Sequence, residues 1–265
     1  MASRLSPDEI RAYWTQQALA HGQSPAASWT DQPVIELEIQ TITQYLAEGD
    51  RVLDVGCANG FSTVQFAAFQ QIAILGLDYI PAMIDAARER LAGLADRLRG
   101  TVDFAVGDAR QLALPDAQFD KVVVVRVIIN LGEWPDQVQG LQECVRMVKP
   151  GGLLLLSEAT LQGWRRLNAL RREWGLPDIP VPGFNNYLDE EMVVAALAPW
   201  MELQAIINFA STYYVGSRVL KPMLARACNL EIDVADPLME WNRWFAQLPS
   251  AGDYGTQKLL VFRKR

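Results

Sequence analysis

The residues most suited to chemistry lie in one short turn. Leu53-Asp54-Val55-Gly56-Cys57-Ala58-Asn59-Gly60 follows an aliphatic run and precedes an apolar helical segment. Glycines at such a turn let the chain bend tightly and bring a ligand close to backbone N–H groups at a helix start. A second aliphatic run ends in Leu77-Asp78-Tyr79, with Asp78 lying 18 residues beyond Gly60. A carboxylate at the carboxyl end of a second strand is placed to accept both hydroxyls of a ribose, at the switch point where open α/β sheets bind ligands. These residues point to a nucleoside-containing ligand. A dinucleotide site calls for Gly-x-Gly-x-x-Gly, so that a pyrophosphate rests on the helix end. Here the spacing is Gly56-x-x-x-Gly60, preceded by Asp54. That carboxylate repels a pyrophosphate and suits a ligand bearing an ammonium or sulfonium group.

The elements that must hold this turn are legible on either side of it. Arg51–Val55, Ile72–Leu77, Val102–Val106, Lys121–Val127 and Leu153–Ser157 are aliphatic runs of strand length. Gly60–Phe69, Pro81–Leu91 and Asp136–Val148 separate them as helices, with Pro81 at a favoured first helical position. Continuously apolar strands joined by helical crossovers form a parallel sheet covered on both faces, which is a doubly wound α/β core. Outside it, Leu5–Ala20, Val34–Leu46, Leu161–Trp174 and Asp189–Ala198 read as helices. Gly175–Asn186 holds three prolines and reads as an irregular loop, and Glu202–Tyr214 and Thr256–Arg263 read as the last two strands.

Residues 45–160 resemble the class I S-adenosylmethionine-dependent methyltransferases. The similarity rests on Asp54-Val55-Gly56-Cys57-Ala58-Asn59-Gly60, Gly107-Asp108-Ala109, Phe119-Asp120 through Asn130-Leu131, and Arg146-Met147-Val148-Lys149-Pro150-Gly151-Gly152. Ala58 stands where that family usually has its middle glycine. The resemblance implies S-adenosyl-L-methionine as cofactor, with S-adenosyl-L-homocysteine as product. It places Asp54, Gly56, Cys57, Ala58 and Gly60 in the cofactor turn and Asp78 on the ribose hydroxyls. Tyr79 and Met83 then lie near the adenine, with Ala109 beside Asp108, which accepts from the exocyclic amine. Arg126 lies beside the amino-acid portion. The implied fold is a Rossmann-like, doubly wound seven-stranded sheet whose last strand is antiparallel. Residues 1–47 form an N-terminal helical cap, and 48–265 the methyltransferase domain, with substrate-cap insertions at 160–187 and 216–255.

Methyl transfer from a sulfonium is a displacement in which the donor is already activated, so alignment is the protein's main task. A general base adds about 10²–10⁴-fold when the acceptor is a hydroxyl. His21, the sole histidine, is the candidate base; the alternative is an exposed loop residue. Glu158, ending the fifth strand, is a candidate to orient the acceptor or a helix-capping acid, and Asn130 is a candidate to face substrate. Tyr13 and Trp14 either cover the sulfonium or bury a helix face. Trp29 and Asp31 either touch the methionine end or sit in a surface loop. Trp241, Trp244, Phe245 and Tyr254 either wall the acceptor pocket or fill core. The basic run Arg165, Arg166, Arg171, Arg172 either meets an anionic substrate or is a solvated helix face.

Composition narrows the classes. In 265 residues, 24 Lys+Arg face 31 Asp+Glu, a net charge of −7 that disfavours nucleic acid as partner. Cys57, Cys144 and Cys228 are far apart and one histidine cannot complete a zinc site, so no metal is expected. The sequence MASRLSPDEI has no apolar stretch of a secretory signal, and no run is long enough to cross a membrane. The expectation is a cytoplasmic monomer or homodimer acting on a small-molecule acceptor, most simply an O-methyltransferase for a specialised metabolite or sugar. An N-methyltransferase acting on an amine or protein side chain, and a non-catalytic cofactor-binding regulatory module, are the alternatives.

Overall fold

Apolar side chains on successive strand positions dictate a sheet covered on both faces. In the computed structural model, which describes residues 5–94 and 97–265, five strands run parallel. They are β1 (Arg51–Val55), β2 (Ala73–Asp78), β3 (Thr101–Val106), β4 (Phe119–Val125) and β5 (Val148–Ala159). Val52, Leu53, Val122, Val123, Val124, and Leu154 to Leu156 are buried without a break. The crossovers contain α3 (Phe61–Phe69), α4 (Pro81–Ala92) and α5 (Trp134–Met147). With β6 (Met201–Ile207) and β7 (Gln257–Lys264) the sheet has seven strands in the order β3-β2-β1-β4-β5-β7-β6. Strand β7 runs antiparallel to both β5 and β6, as expected of the last strand. The order reverses between β1 and β4, and Asp54 sits there, paired in register with Gly76 and Val123.

Two further helices precede the sheet. Helix α1 (Pro7–His21) starts at a reciprocal capping box, Ser6 with Glu9, and α2 (Gln32–Thr43) buries Val34, Ile35, Ile39 and Ile42 in the core. Helices α6 (Leu161–Glu173) and α7 (Glu190–Leu197) follow β5, and Asp189 caps α7 by accepting from the Glu191 and Met192 N–H groups.

The expected strand Glu202–Tyr214 is a correction: it ends at Ile207, and Ser211–Val215 is a short helix, α8. Tertiary bonds override the strand-forming residue types. The Ser211 N–H donates to Ser250 Oγ at 3.0 Å and Thr212 Oγ1 to the Pro249 carbonyl at 2.8 Å, which turns the chain inward and buries Tyr213 and Tyr214. A wide turn, Gly216–Leu220, leads to α9 (Lys221–Ala227) and α10 (Glu240–Gln247). A buried polar chain ties this insertion to the start of α2. Tyr213 donates to Asp31, which also pairs with Arg218. Asn242 Nδ2 donates to the Tyr213 hydroxyl, and Lys221 Nζ to Asn242 Oδ1, each at 2.8 Å. Among the described residues no helix is long and apolar enough to cross a membrane.

Candidate functional site

Where β1 ends, Gly56 and Gly60 take φ of +74° and +71°, the left-handed region that glycine alone enters freely. A Cβ on Gly56 would lie 2.1 Å from Val127 Cγ2, so the turn passes the end of β4 only because that atom is missing. The Gly56 and Cys57 N–H groups donate to the Leu77 carbonyl at 2.7 and 2.9 Å, clamping the turn to the end of β2. Gly60 caps α3, whose first residues, Phe61 and Ser62, open onto a cavity of about 340 Å³. The size suits a small-molecule site.

Two carboxylates face this cavity from buried positions. Asp54 accepts from Thr63 Oγ1 at 2.6 Å, and burial pushes its pKa up to about 7. Asp78 accepts from the Ala58 and Ile80 N–H groups at 3.0 and 2.9 Å, and burial pushes it up to about 6. Buried carboxyls that ionise reluctantly are relieved by a cationic ligand. Cys57, Ala58, Tyr79, Met83 and Ala109 also line the cavity. Asp108 lines it too, but with both oxygens engaged: Arg110 Nε and Nη2 donate to them at 3.1 and 2.7 Å and hold the carboxyl below its usual range. A bond to an amine would therefore share that carboxylate with Arg110.

After β4 the chain makes a strained turn. Arg126 has φ +55°, with its N–H on the Ser157 carbonyl. Its own carbonyl accepts from Asn130 Nδ2 at 2.8 Å. Its guanidinium lies 5.1 Å from the Trp29 ring centroid and pairs with Glu38, which also accepts from Ser157 and Gln257. Arg126, Trp29 and Asn130 all line the cavity.

The expected acceptor-orienting role of Glu158 needs correction. Its carboxylate is wholly buried and accepts from the Val127 and Ile128 N–H groups at 2.8 and 2.7 Å, so it anchors the turn after β4 from behind. Burial pushes its pKa up to about 8.

Helix α1 and the 182–187 loop roof the cavity. The Tyr13 ring stacks on Phe184 at 4.6 Å, Trp14 meets Phe184 edge-on at 5.5 Å, and Trp14 Nε1 donates to Asn130 Oδ1 at 3.3 Å. Asn59 and Arg90 fasten the roof to the 56–60 turn. Asn59 Nδ2 donates to the Gly22 and Ser24 carbonyls at 2.8 and 2.7 Å, and Arg90 donates to the Asn59 and Gln23 carbonyls. Sequence reasoning missed Asn59, Phe184 and Tyr187. Asn59 stood inside the quoted turn with no role of its own, and the aromatics sit in or beside a proline-rich loop with no periodicity.

Several other expectations are corrected by position. His21 ends α1 with an exposed side chain and is absent from the cavity wall. Trp241 and Tyr254 do not line it either: Trp241 lies in α10 beside α2 and α8, and Tyr254 is on the surface beside Arg166. The 216–255 insertion contributes no described residue to the cavity, whereas 160–187 contributes Pro182, Phe184, Asn185 and Tyr187. Asp31 lies buried under Arg218 and Tyr213 rather than at the methionine end. In the basic run, Arg166 pairs with Asp253 and Arg172 with Asp178, while Arg171 donates to the Pro177 and Arg218 carbonyls.

Comparison with known proteins finds relatives over the parallel part of the sheet. The family model described as a methyltransferase domain matches residues 52–152. A 27-O-demethylrifamycin SV methyltransferase of Amycolatopsis mediterranei is 33% identical over 118 residues, 44% of this chain and 41% of the relative. A ubiquinone/menaquinone biosynthesis C-methyltransferase of Geobacter sulfurreducens is 32% identical over 139 residues, 52% of each chain. The chain thus spans about half, or less, of the length of these relatives. Among solved structures, a magnesium protoporphyrin IX methyltransferase from Synechocystis with bound S-adenosylhomocysteine superposes with a TM-score of 0.55 at 16% identity, over 89% of this chain and 83% of that one. A [4+2]-cyclase, SpnF, does so with 0.55 at 22% identity, over 85% and 80%. Likeness at that level shows the fold alone.

Proposed function

Residues 52–152 form a class I S-adenosylmethionine-dependent methyltransferase domain, and on that premise we propose that the whole chain moves a methyl group to an oxygen of a small organic acceptor. The observation that carries this reading is the pair of buried carboxylates, Asp54 and Asp78, facing one cavity that continues beneath an aromatic roof. The donor set fits the cofactor, whose sulfonium and ammonium offset the cost of burying two anions and whose ribose hydroxyls suit Asp78. Tyr79 and Met83 would flank the adenine, with Asp108 on its amine. Once bound, the cofactor supplies a methyl group already activated on sulfur.

The chain's own residues then have three tasks. Arg126, fixed by Glu38 and by the bonds around the turn after β4, keeps the methionine end of the site in one shape. Tyr13, Trp14 and Phe184 shut the acceptor away from water, so that orientation accounts for most of the rate gain. Asn130 holds Trp14 in place and presents a polar group at the cavity wall. In this reading residues 1–47 and 160–187 form the acceptor cap, and a cytoplasmic location suits a chain whose three cysteines are all free.

The test uses purified protein, cofactor labelled on its methyl group, and two acceptors of one shape, 2-naphthol and 2-naphthylamine. Label on the naphthol oxygen supports O-methyl transfer, and label on the amine alone replaces it with N-methyl transfer. Cofactor binding without label on either acceptor favours a regulatory binding module.

A further inference from the structure

Set aside the cofactor turn, Asp78 and the segments around Tyr79, Met83 and Asp108, and the remaining cavity wall comes from α1, residues 26–30, 125–127 and 129–131, Ala159, the 182–187 loop, α8 and the start of β7. Among the described residues this part of the wall contains no aspartate, glutamate, histidine or lysine. Its ionisable side chains other than Arg126 are Tyr13, Tyr187 and Tyr214. Burial pushes each phenol up, Tyr187 to about 12, so each keeps its proton at neutral pH.

The carboxylates just behind the wall are already engaged. Glu38 is held by Arg126, Ser157 and Gln257, and Asp31 by Tyr213 and Arg218. Glu158 is held by the Val127 and Ile128 N–H groups. The charged groups that do face the cavity, Asp54, Asp78, Asp108, Arg110 and Arg126, sit around the cofactor portion, with the Cys57 thiol held protonated by burial.

We infer that the acceptor brings its own nucleophile. It is a flat, largely apolar molecule bearing an acidic hydroxyl, a phenol or an enol conjugated to a carbonyl, which ionises without an enzyme base. This rests on the methyl-transfer reading above. The stacked Tyr13 and Phe184 rings and the Trp14 edge offer flat apolar surface for a planar acceptor. The positive charge that the bound cofactor would supply on sulfur would stabilise the acceptor anion more than its neutral form. In the step itself the hydroxyl proton passes to solvent and an oxygen lone pair forms the O–C bond. The S–C bond breaks with its electron pair kept on sulfur, giving a neutral thioether, so no oxidant or reductant is needed.

The test compares three probes of one size: 2-naphthol, the more acidic 6-cyano-2-naphthol, and the non-ionising alcohol 2-naphthalenemethanol. Quenching of tryptophan fluorescence follows their binding to the cofactor-loaded protein, separating failure to bind from failure to react. All three are expected to bind. For each naphthol kcat/KM should rise about tenfold per pH unit up to a limb that moves with that naphthol's own pKa, and the alcohol should react at least about 10³-fold more slowly, the scale of a missing base.

The inference is overturned if the alcohol reacts within about tenfold of 2-naphthol, or if both naphthols share one acidic limb set by the protein, as a general base would dictate. It is also overturned if the naphthols do not bind, or bind without reacting. Calorimetry of the cofactor alone separates the two levels. Absence of cofactor binding removes the methyl-transfer reading and this inference with it, whereas cofactor binding with a reactive alcohol removes only the inference.

Discussion

Asp54, Asp78 and Glu158 are carboxyls whose burial raises them to about 7, about 6 and about 8, and this sets the pH behaviour of the ligand-free protein. Each binds its proton more tightly folded than unfolded, so between pH 5 and 8 the folded state carries the excess protons and stability falls as pH rises. Asp108 and Glu143, held low by Arg110 and Arg146, lose their stabilising charge only below this window. Calorimetric melts should therefore show a lower Tm at pH 8 than at pH 5.5, and Asp54→Asn should flatten that slope; a Tm that climbs across the window would contradict the burial argument. Cofactor affinity should move the other way, tightening as pH rises through 6 to 7, because the ionised carboxylates attract the cation. At this scale the turn residues 54–60 and Asp78 were readable, since a ligand-binding turn is made of local residue types. His21 was not, because whether a residue at the end of a helix faces a cavity depends on helix phase and on a neighbour the sequence does not name.

Among elements, the turn after β4 and the roof carry the most specific expectations. Glu158→Ala strands two buried N–H groups, at about 1–3 kcal/mol each, and thermal or urea unfolding should register the loss. Glu158→Gln, which keeps one acceptor oxygen, should recover part of it. Equal stability of the two variants would show that the carboxylate does not anchor the turn. In the roof, Phe184→Ala should raise the acceptor KM by about tenfold or more, the scale of a lost aromatic contact and its burial, while leaving cofactor affinity within a factor of about two. Titrations of each ligand check the split. The strands β1 to β5 were legible because each contains a short run rich in β-branched or aliphatic residues. Helix α8 was not: Ser211, Thr212, Tyr213 and Tyr214 have strand-forming character, and only their bonds to Ser250 and Pro249 make them turn.

Across the whole molecule, the sheet carries the cavity at its switch point, and the chain on either side supplies covers of two kinds. The 1–47 and 160–187 segments reach the cavity, while 216–255 packs against α2 and is tied there by Asp31, Tyr213, Asn242 and Lys221. The family resemblance implied that both insertions cap the acceptor, and aromatic content pointed the same way for 216–255; Trp241 and Tyr254 instead follow the packing of α10 and the surface of α6. Tyr213→Phe removes a hydroxyl bonded to both Asp31 and Asn242, and should destabilise folding by about 1–3 kcal/mol with little change in cofactor affinity. A large loss of affinity at full stability would mean that the insertion acts on the site after all. The most direct measurement is calorimetric titration of the protein and of Asp78→Asn with S-adenosylmethionine. One cofactor should bind per chain, and the variant should bind about 10–100-fold more weakly, the worth of hydrogen bonds to a charged group. No binding, or equal affinity in the two proteins, would contradict the assignment of this cavity to that cofactor.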